Sequence, residues 1–96
     1  MKRILEKHLE QHFTKECRRL GIATLKLSVR FSTGWPDRLI ASPNGLALAE
    51  LKTETGVLSA KQKLVLSILA AFGIHVPVLR TKEQITKWLE QQHGGK

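Results

Sequence analysis

Asp37, Glu50 and Lys52 are the residues whose types and spacing point to chemistry. Glu50 interrupts an apolar run, with Leu46-Ala47-Leu48-Ala49 before it and Leu51 after it, and a charge inside a core-like strand needs a reason. Residues two apart on a strand share a face, so Glu50 and Lys52 project together, ~6.5 Å apart along the strand. Asn44-Gly45 between apolar runs signals a hairpin, because both residue types tolerate positive φ. A two-residue turn there pairs Asp37 with Lys52 and Leu39 with Glu50. All three charged residues then share one face, with the carboxylates ~7–8 Å apart at Cα. A register slip of one residue would send Asp37 to the other face. Two carboxylates at that range suit a hard divalent cation, Mg²⁺ or Mn²⁺, with the Leu51 carbonyl as a further oxygen ligand. A cation held there activates water and neutralises charge on a phosphodiester, while Lys52 orients the attacking water or stabilises the phosphorane. The same side chains also suit a plain ion pair, Glu50–Lys52 or Asp37–Lys52, on a solvated sheet face.

These residues need a scaffold, and the hydrophobic pattern supplies one. Leu5, Leu9, Phe13, Cys17 and Leu20 recur at helical spacing over residues 4–20, and Gly21 ends that helix. Leu25, Leu27 and Val29 alternate with polar residues, which predicts a half-buried strand. Phe31 to Pro36 is a loop. Residues 37–42 and 46–53 are the hairpin strands. A second helix runs from Ser59 to Phe72, opened by the capping-box pattern Ser59-Ala60-Lys61-Gln62, with Leu64, Ile68, Leu69 and Phe72 as its stripe. Residues 74–79 form a strand in which Pro77 favours an edge. Thr81 caps a last helix with Ile85, Trp88 and Leu89 facing inward, and residues 91–96 fray. The order α-β-β-β-α-β-α argues for a three-layer α/β domain, and the strands flanking the second helix can pair in parallel.

The chain has 96 residues, with sixteen Lys+Arg against eight Asp+Glu, a formal charge of +8. That length suits one domain and excludes a two-domain enzyme or a barrel of eight β/α units. The basic excess suggests a polyanionic partner, most often nucleic acid, although a bland basic surface is also common. No apolar run approaches the ~20 residues of a membrane span. The start, Met1-Lys2-Arg3-Ile4-Leu5-Glu6, does not read as a signal peptide, and the expected location is cytoplasmic. A single cysteine, Cys17, excludes an internal disulfide and a multi-cysteine zinc site. His8 and His12 lie one turn apart, but two ligands are too few for zinc. The chain has neither a serine elbow nor a glycine-rich phosphate loop, which disfavours a serine hydrolase or a P-loop NTPase. Lys26, Arg30, Arg38, Lys61, Lys63 and Arg80 are candidates for phosphate contacts, or ordinary surface charges. Trp35 can stack on an unpaired base or pack on the sheet edge.

Pro36-Asp37, twelve residues, then Glu50-Leu51-Lys52 resembles the PD-(D/E)XK nuclease signature. Four blocks occur in order: Gly34 to Leu39, Gly45 to Lys52, Gly56 to Gln62, and Leu69 through Gly73 to Val78. Together they look like the VRR-NUC (virus-type replication-repair nuclease) branch, along essentially the whole of residues 1–96, as one stand-alone domain of phage or prophage type. The resemblance implies a restriction-endonuclease-like core around a mixed four-stranded sheet. It implies Asp37 and Glu50 as metal ligands, Lys52 as the catalytic lysine and Gln62 as the accessory glutamine, although Gln62 also suits a purely structural cap. It further implies a glutamate on the first helix near the metal. Glu10 fits the family block better and Glu6 is the alternative, while both also read as a solvated helix face. Expected cofactors are Mg²⁺ or Mn²⁺. The expected partners are branched DNA and a second copy of the chain, as in the homodimeric Holliday-junction resolvases that minimal family members resemble, with a role in DNA repair. A flap or splayed-arm nuclease, a non-catalytic basic DNA-binding module and a scaffold subunit of a phage replication complex are the competing expectations.

Overall fold

Leu9, Phe13 and Cys17 fall on one face of the first helix and are buried, and that face organises the molecule. The computed structural model describes residues 2–27 and 34–94, with side chains from residue 6 onward. The elements are α1 (Lys2–Leu20), β1 (Ala23–Lys26), β2 (Arg38–Ser42), β3 (Gly45–Leu51), α2 (Ala60–Ala71), β4 (Val78–Leu79) and α3 (Lys82–Gly94). The strands form one mixed sheet in the order β1-β2-β3-β4, antiparallel except for the parallel pair β3 and β4. The expected α/β order is therefore present. Among the described residues no helix is long and apolar enough to cross a membrane.

One sheet face carries the core. Ile40, Ala49 and Leu51 point at Leu9, Phe13 and Cys17 of α1 and at Ile85 and Leu89 of α3. Burial pushes the Cys17 thiol up to about 11, so it is an inert core group. Polar contacts clasp α1 to α3. His12 Nε2 lies 2.8 Å from Thr86 Oγ1, and Arg19 bridges Glu16 at 2.7 Å and Glu90 at 3.1 Å.

The opposite face is largely open, and several expectations are corrected there. Alternation places Leu25 in a half-buried strand, yet it is 58% exposed; Ile22, just before β1, is the residue that enters the core. In α2 only Leu69 is buried, while Leu64, Ile68 and Phe72 are 58%, 47% and 77% exposed. The apolar stripe is real, but no described element of this chain covers it. The last strand is confined to Val78–Leu79 because Pro77 has no N–H for a ladder, although its carbonyl still accepts from Glu50 N at 3.0 Å. α3 continues to Gly94 instead of fraying from residue 91. Thr81 caps it as expected, its Oγ1 accepting from Gln84 N at 3.1 Å.

The hairpin register also differs. Ser42 pairs with Gly45, so the turn is Pro43-Asn44 rather than Asn44-Gly45. No described non-glycine residue has positive φ, which excludes the mirror-image turn that Asn44-Gly45 would need; Gly45 alone takes φ 109°. The turn is pinned to α3, with Asn44 Nδ2 donating to the Gln92 carbonyl at 2.8 Å. The register is thereby shifted by two residues from the expected one. A shift of two preserves every side-chain face, so the expectation about the charged residues survives the wrong turn.

Candidate active site

Arg38 pairs with Ala49, and the next step along that ladder sets Asp37 opposite Glu50 instead of Lys52. The two carboxylates are thus direct neighbours on the open sheet face, and Lys52 lies two residues further along the same face. The main chain of β3 is held on its other side by β4, with Lys52 N donating to the Leu79 carbonyl at 3.1 Å. Asp37 is held by both neighbours. Its carbonyl accepts from Leu27 N at 2.9 Å, and its Oδ1 accepts from Leu51 N at 3.2 Å.

Pro36 shapes the end of that ladder. In this register Leu51 and Pro36 occupy a position where two residues would exchange both main-chain hydrogen bonds. Proline has no N–H to give, so it leaves the Leu51 carbonyl without its ladder donor. The Leu51 N–H goes to the Asp37 carboxylate. The N–H and C=O of one strand residue point to the same side, so that carbonyl opens beside Asp37. Two carboxylate oxygen donors and a free carbonyl suit a hard cation that keeps part of its water shell.

The electrostatics agree. Burial, then repulsion from Asp37, pushes Glu50 up to about 7, against the opposing pull of Lys52. Burial also raises Asp37, partly offset by the Leu51 N–H. Two acids that resist ionising side by side are acids short of positive charge. Among the described residues neither carboxylate forms an ion pair, so the plain ion-pair alternative lacks the contact it requires.

Gln62 reaches the same spot from the start of α2. Its Nε2 donates to Glu50 Oε2 at 3.1 Å, while its Oε1 accepts from Ser59 N at 2.8 Å as the expected capping box. The two roles weighed for it are realised together. The loop before Asp37 leans on the same helix turn: a Cβ at Gly34 would lie 2.7 Å from Lys61 Cγ, so only glycine fits there. Lys52 runs along the loop after β3, where a Cβ at Gly56 would come within 3.3 Å of its Cδ. Arg80 fixes that loop, donating through Nη1 to the carbonyls of Thr53 and Gly56 at 2.7 Å each. From sequence Arg80 reads as a phosphate contact or an ordinary surface charge, and no local signal marks it as a loop latch.

Glu10 is not brought into the carboxylate pair. Lys26 holds it at 3.4 Å, and the described residues contain no group of three or more metal-capable side chains. Its charge acts on Asp37, whereas the charge of Glu6 acts on Glu50. Arg38 is corrected outright as a phosphate contact. It is 6% exposed, its guanidinium lies 5.3 Å from the Phe13 ring centroid, and it faces the core under α1. Lys61 and Lys63 are exposed on α2, Lys26 is exposed on β1, and Trp35 is 46% exposed beside Asp37. Arg30 lies outside the described residues. A cleft of about 280 Å³ lined by residues including His8, Thr53, Arg80 and Glu83 does not include either carboxylate.

No protein-family model matches the sequence, and no curated protein matches it. Among solved structures the chain is similar to one described as "VRR_NUC domain", at a TM-score of 0.79 and 24% identity, over 93% of this chain and 98% of that one. The chain therefore has the fold of a VRR-NUC domain.

Proposed function

We propose that this chain, with the fold of a VRR-NUC domain, is a nuclease of that family that hydrolyses DNA phosphodiesters with bound Mg²⁺ or Mn²⁺. The observation that carries this is the Asp37–Glu50 pair: two adjacent carboxylates, one half-buried and one buried, both raised, with Lys52 beside them. Asp37, Glu50 and the Leu51 carbonyl hold the metal, and Gln62 steadies Glu50. A divalent cation bound there polarises the phosphoryl oxygen and lowers the pKa of bound water. Lys52, its stem fixed by the Gly56 loop, orients the attacking water and faces the charge that develops on phosphorus. Lys26, Lys61 and Lys63 hold backbone phosphates without reading sequence. Glu10 or Glu6 tunes the site through charge.

The proposed selectivity is for DNA structure, and a four-way junction is the proposed substrate. Resolving it takes two symmetric incisions and hence a two-fold dimer. The exposed stripe Leu64, Ile68 and Phe72 supports a second copy as that partner. Such an enzyme serves repair or replication in the cytoplasm of a bacterial or phage-infected cell.

The test is a panel of labelled duplex, flap, splayed-arm and four-way-junction DNA, with and without Mn²⁺. Junction cutting that Lys52→Ala abolishes while binding persists is the expected result. Cutting of flaps alone would move the substrate to a one-incision branch. Binding without cutting under any divalent metal would leave a non-catalytic DNA-binding module.

A further inference from the structure

The capping box at the start of α2 does more than close a helix end. Ser59 has φ −71° and ψ 165°, and its Oγ accepts from Gln62 N at 3.0 Å. In return Gln62 Oε1 accepts from Ser59 N at 2.8 Å. A carboxamide has one acceptor end and one donor end. With the oxygen committed to Ser59, the end left over is the NH₂, and it lies 3.1 Å from Glu50 Oε2. Turned over, the same side chain would set an oxygen against a carboxylate. A cap alone would accept glutamate equally well at this position, because only the acceptor end is used. The bond to Glu50 needs the donor as well, and Glu50 is 5% exposed, so no solvent replaces it.

We propose that Ser59 is a positioning residue for the metal site: its main-chain N–H sets the sense of the Gln62 carboxamide and so orients the Glu50 carboxylate that would hold the cation. The hydroxyl of Ser59 holds the first turn of α2, and the N–H does the orienting. This rests on the metal-binding reading of Glu50. Partners one bond removed from a metal ligand typically change metal affinity by about tenfold or more when removed.

The decisive variant is Ser59→Pro, which deletes the N–H at a φ that proline accepts. Ser59→Gly is its control, losing the hydroxyl and keeping the N–H at little cost to the cap. Two readouts are taken: Mn²⁺ affinity by calorimetry, and the side-chain amide signals of Gln62 by ¹⁵N NMR without metal. Expected are shifted, slowly exchanging Gln62 amide protons in wild type and Ser59→Gly, and their collapse to free-glutamine values in Ser59→Pro. Mn²⁺ affinity should fall about tenfold in both Ser59→Pro and Gln62→Ala. The double variant should fall no further than Gln62→Ala alone. Should Ser59→Pro fail to fold, an ester in place of the 58–59 peptide bond removes the same N–H. Unchanged Gln62 signals with the N–H gone, or losses of affinity that multiply in the double variant, overturn the proposal. Absence of Mn²⁺ binding in wild type would overturn the metal reading instead, and the NMR comparison would still decide whether Ser59 orients Gln62.

Discussion

Glu50→Gln should make the metal-free protein more stable at alkaline pH while destroying its capacity to hold a cation. Glu50 is 5% exposed, and burial followed by the Asp37 charge moves its pKa from 4.5 to about 7. Each pH unit of such displacement is worth about 1.4 kcal/mol, so a fully ionised Glu50 costs the fold on the order of 3 kcal/mol. The sign follows from the direction. A pKa raised by folding contributes stability that is complete below the unfolded value of 4.5 and is lost as pH rises through about 7. Asp37 is also raised and acts in the same direction, but it is common to both proteins and cancels in the comparison. The carboxamide introduced by Glu50→Gln keeps an oxygen to accept from Gln62 Nε2, so the local bonding is conserved. Urea or thermal unfolding in EDTA at about pH 5, 6.5 and 8 gives the comparison. The variant's advantage should widen with pH and approach 10 °C or more by pH 8, since a domain of this size shifts by about 4–8 °C per kcal/mol. Adding Mn²⁺ at pH 8 should raise the melting temperature of wild type and not of the variant. A stability gap that stays constant from pH 5 to 8, or a variant less stable than wild type at pH 8, would show that Glu50 is not held as a strained acid.

Pro36→Ala restores an N–H opposite the Leu51 carbonyl, so Mn²⁺ affinity should fall while the fold persists; a calorimetric titration with unchanged affinity would remove the Leu51 carbonyl from the ligand set. Arg80→Ala frees the two carbonyls it holds at 2.7 Å. That loss should cost about 1–3 kcal/mol in denaturant unfolding, and it should lower kcat more than DNA affinity because the freed loop packs on Lys52. Arg80→Lys should recover part of it, because one Arg80 nitrogen makes both bonds and an ammonium also carries more than one donor. Wild type should elute as a dimer at micromolar concentration, and Phe72→Glu should elute as a folded monomer, since a change at an exposed position costs the monomer about 0.5 kcal/mol or less.

The face that carries the candidate site is legible without the fold because side-chain alternation has period two. Asp37, Glu50 and Lys52 share a face in any register differing by an even number of residues, so misplacing the turn by one position at each end changes the partner of Asp37 and not its side. The turn itself is misread because Asn44-Gly45 is the stronger local signal, whereas the contact that seats Asn44 on Gln92 spans 48 residues and leaves no local trace. The α2 stripe is legible as apolar and misread as core, because periodicity reports which residues share a face and not what lies against it. Arg38 reads as a surface cation from its type; only the fold brings the Phe13 ring beneath it. Glu10 and Glu6 are one helical turn apart, and their separate influence on Asp37 and Glu50 depends on how α1 crosses the sheet, which no spacing encodes.

The features that weaken this fold converge on one end of β3. A half-buried and a buried carboxylate lie side by side with raised pKa values. A proline withholds a ladder bond from Leu51, and a glutamine at the helix cap commits its donor to one of those acids. A set of charges kept for stability behaves in the opposite way: paired acids are lowered by their partners, as the Arg19 bond lowers Glu16 elsewhere in this chain. Departures from local rules that cluster at one place, each leaving oxygen donors in need of positive charge, are what a site requires when its missing component is a cation. The surplus of basic residues does not fill that need: Arg38 turns into the core, Lys26 goes to Glu10, and Lys52 stands beside the pair without closing on it. The net charge of +8 therefore coexists with a local deficit of positive charge at Asp37 and Glu50.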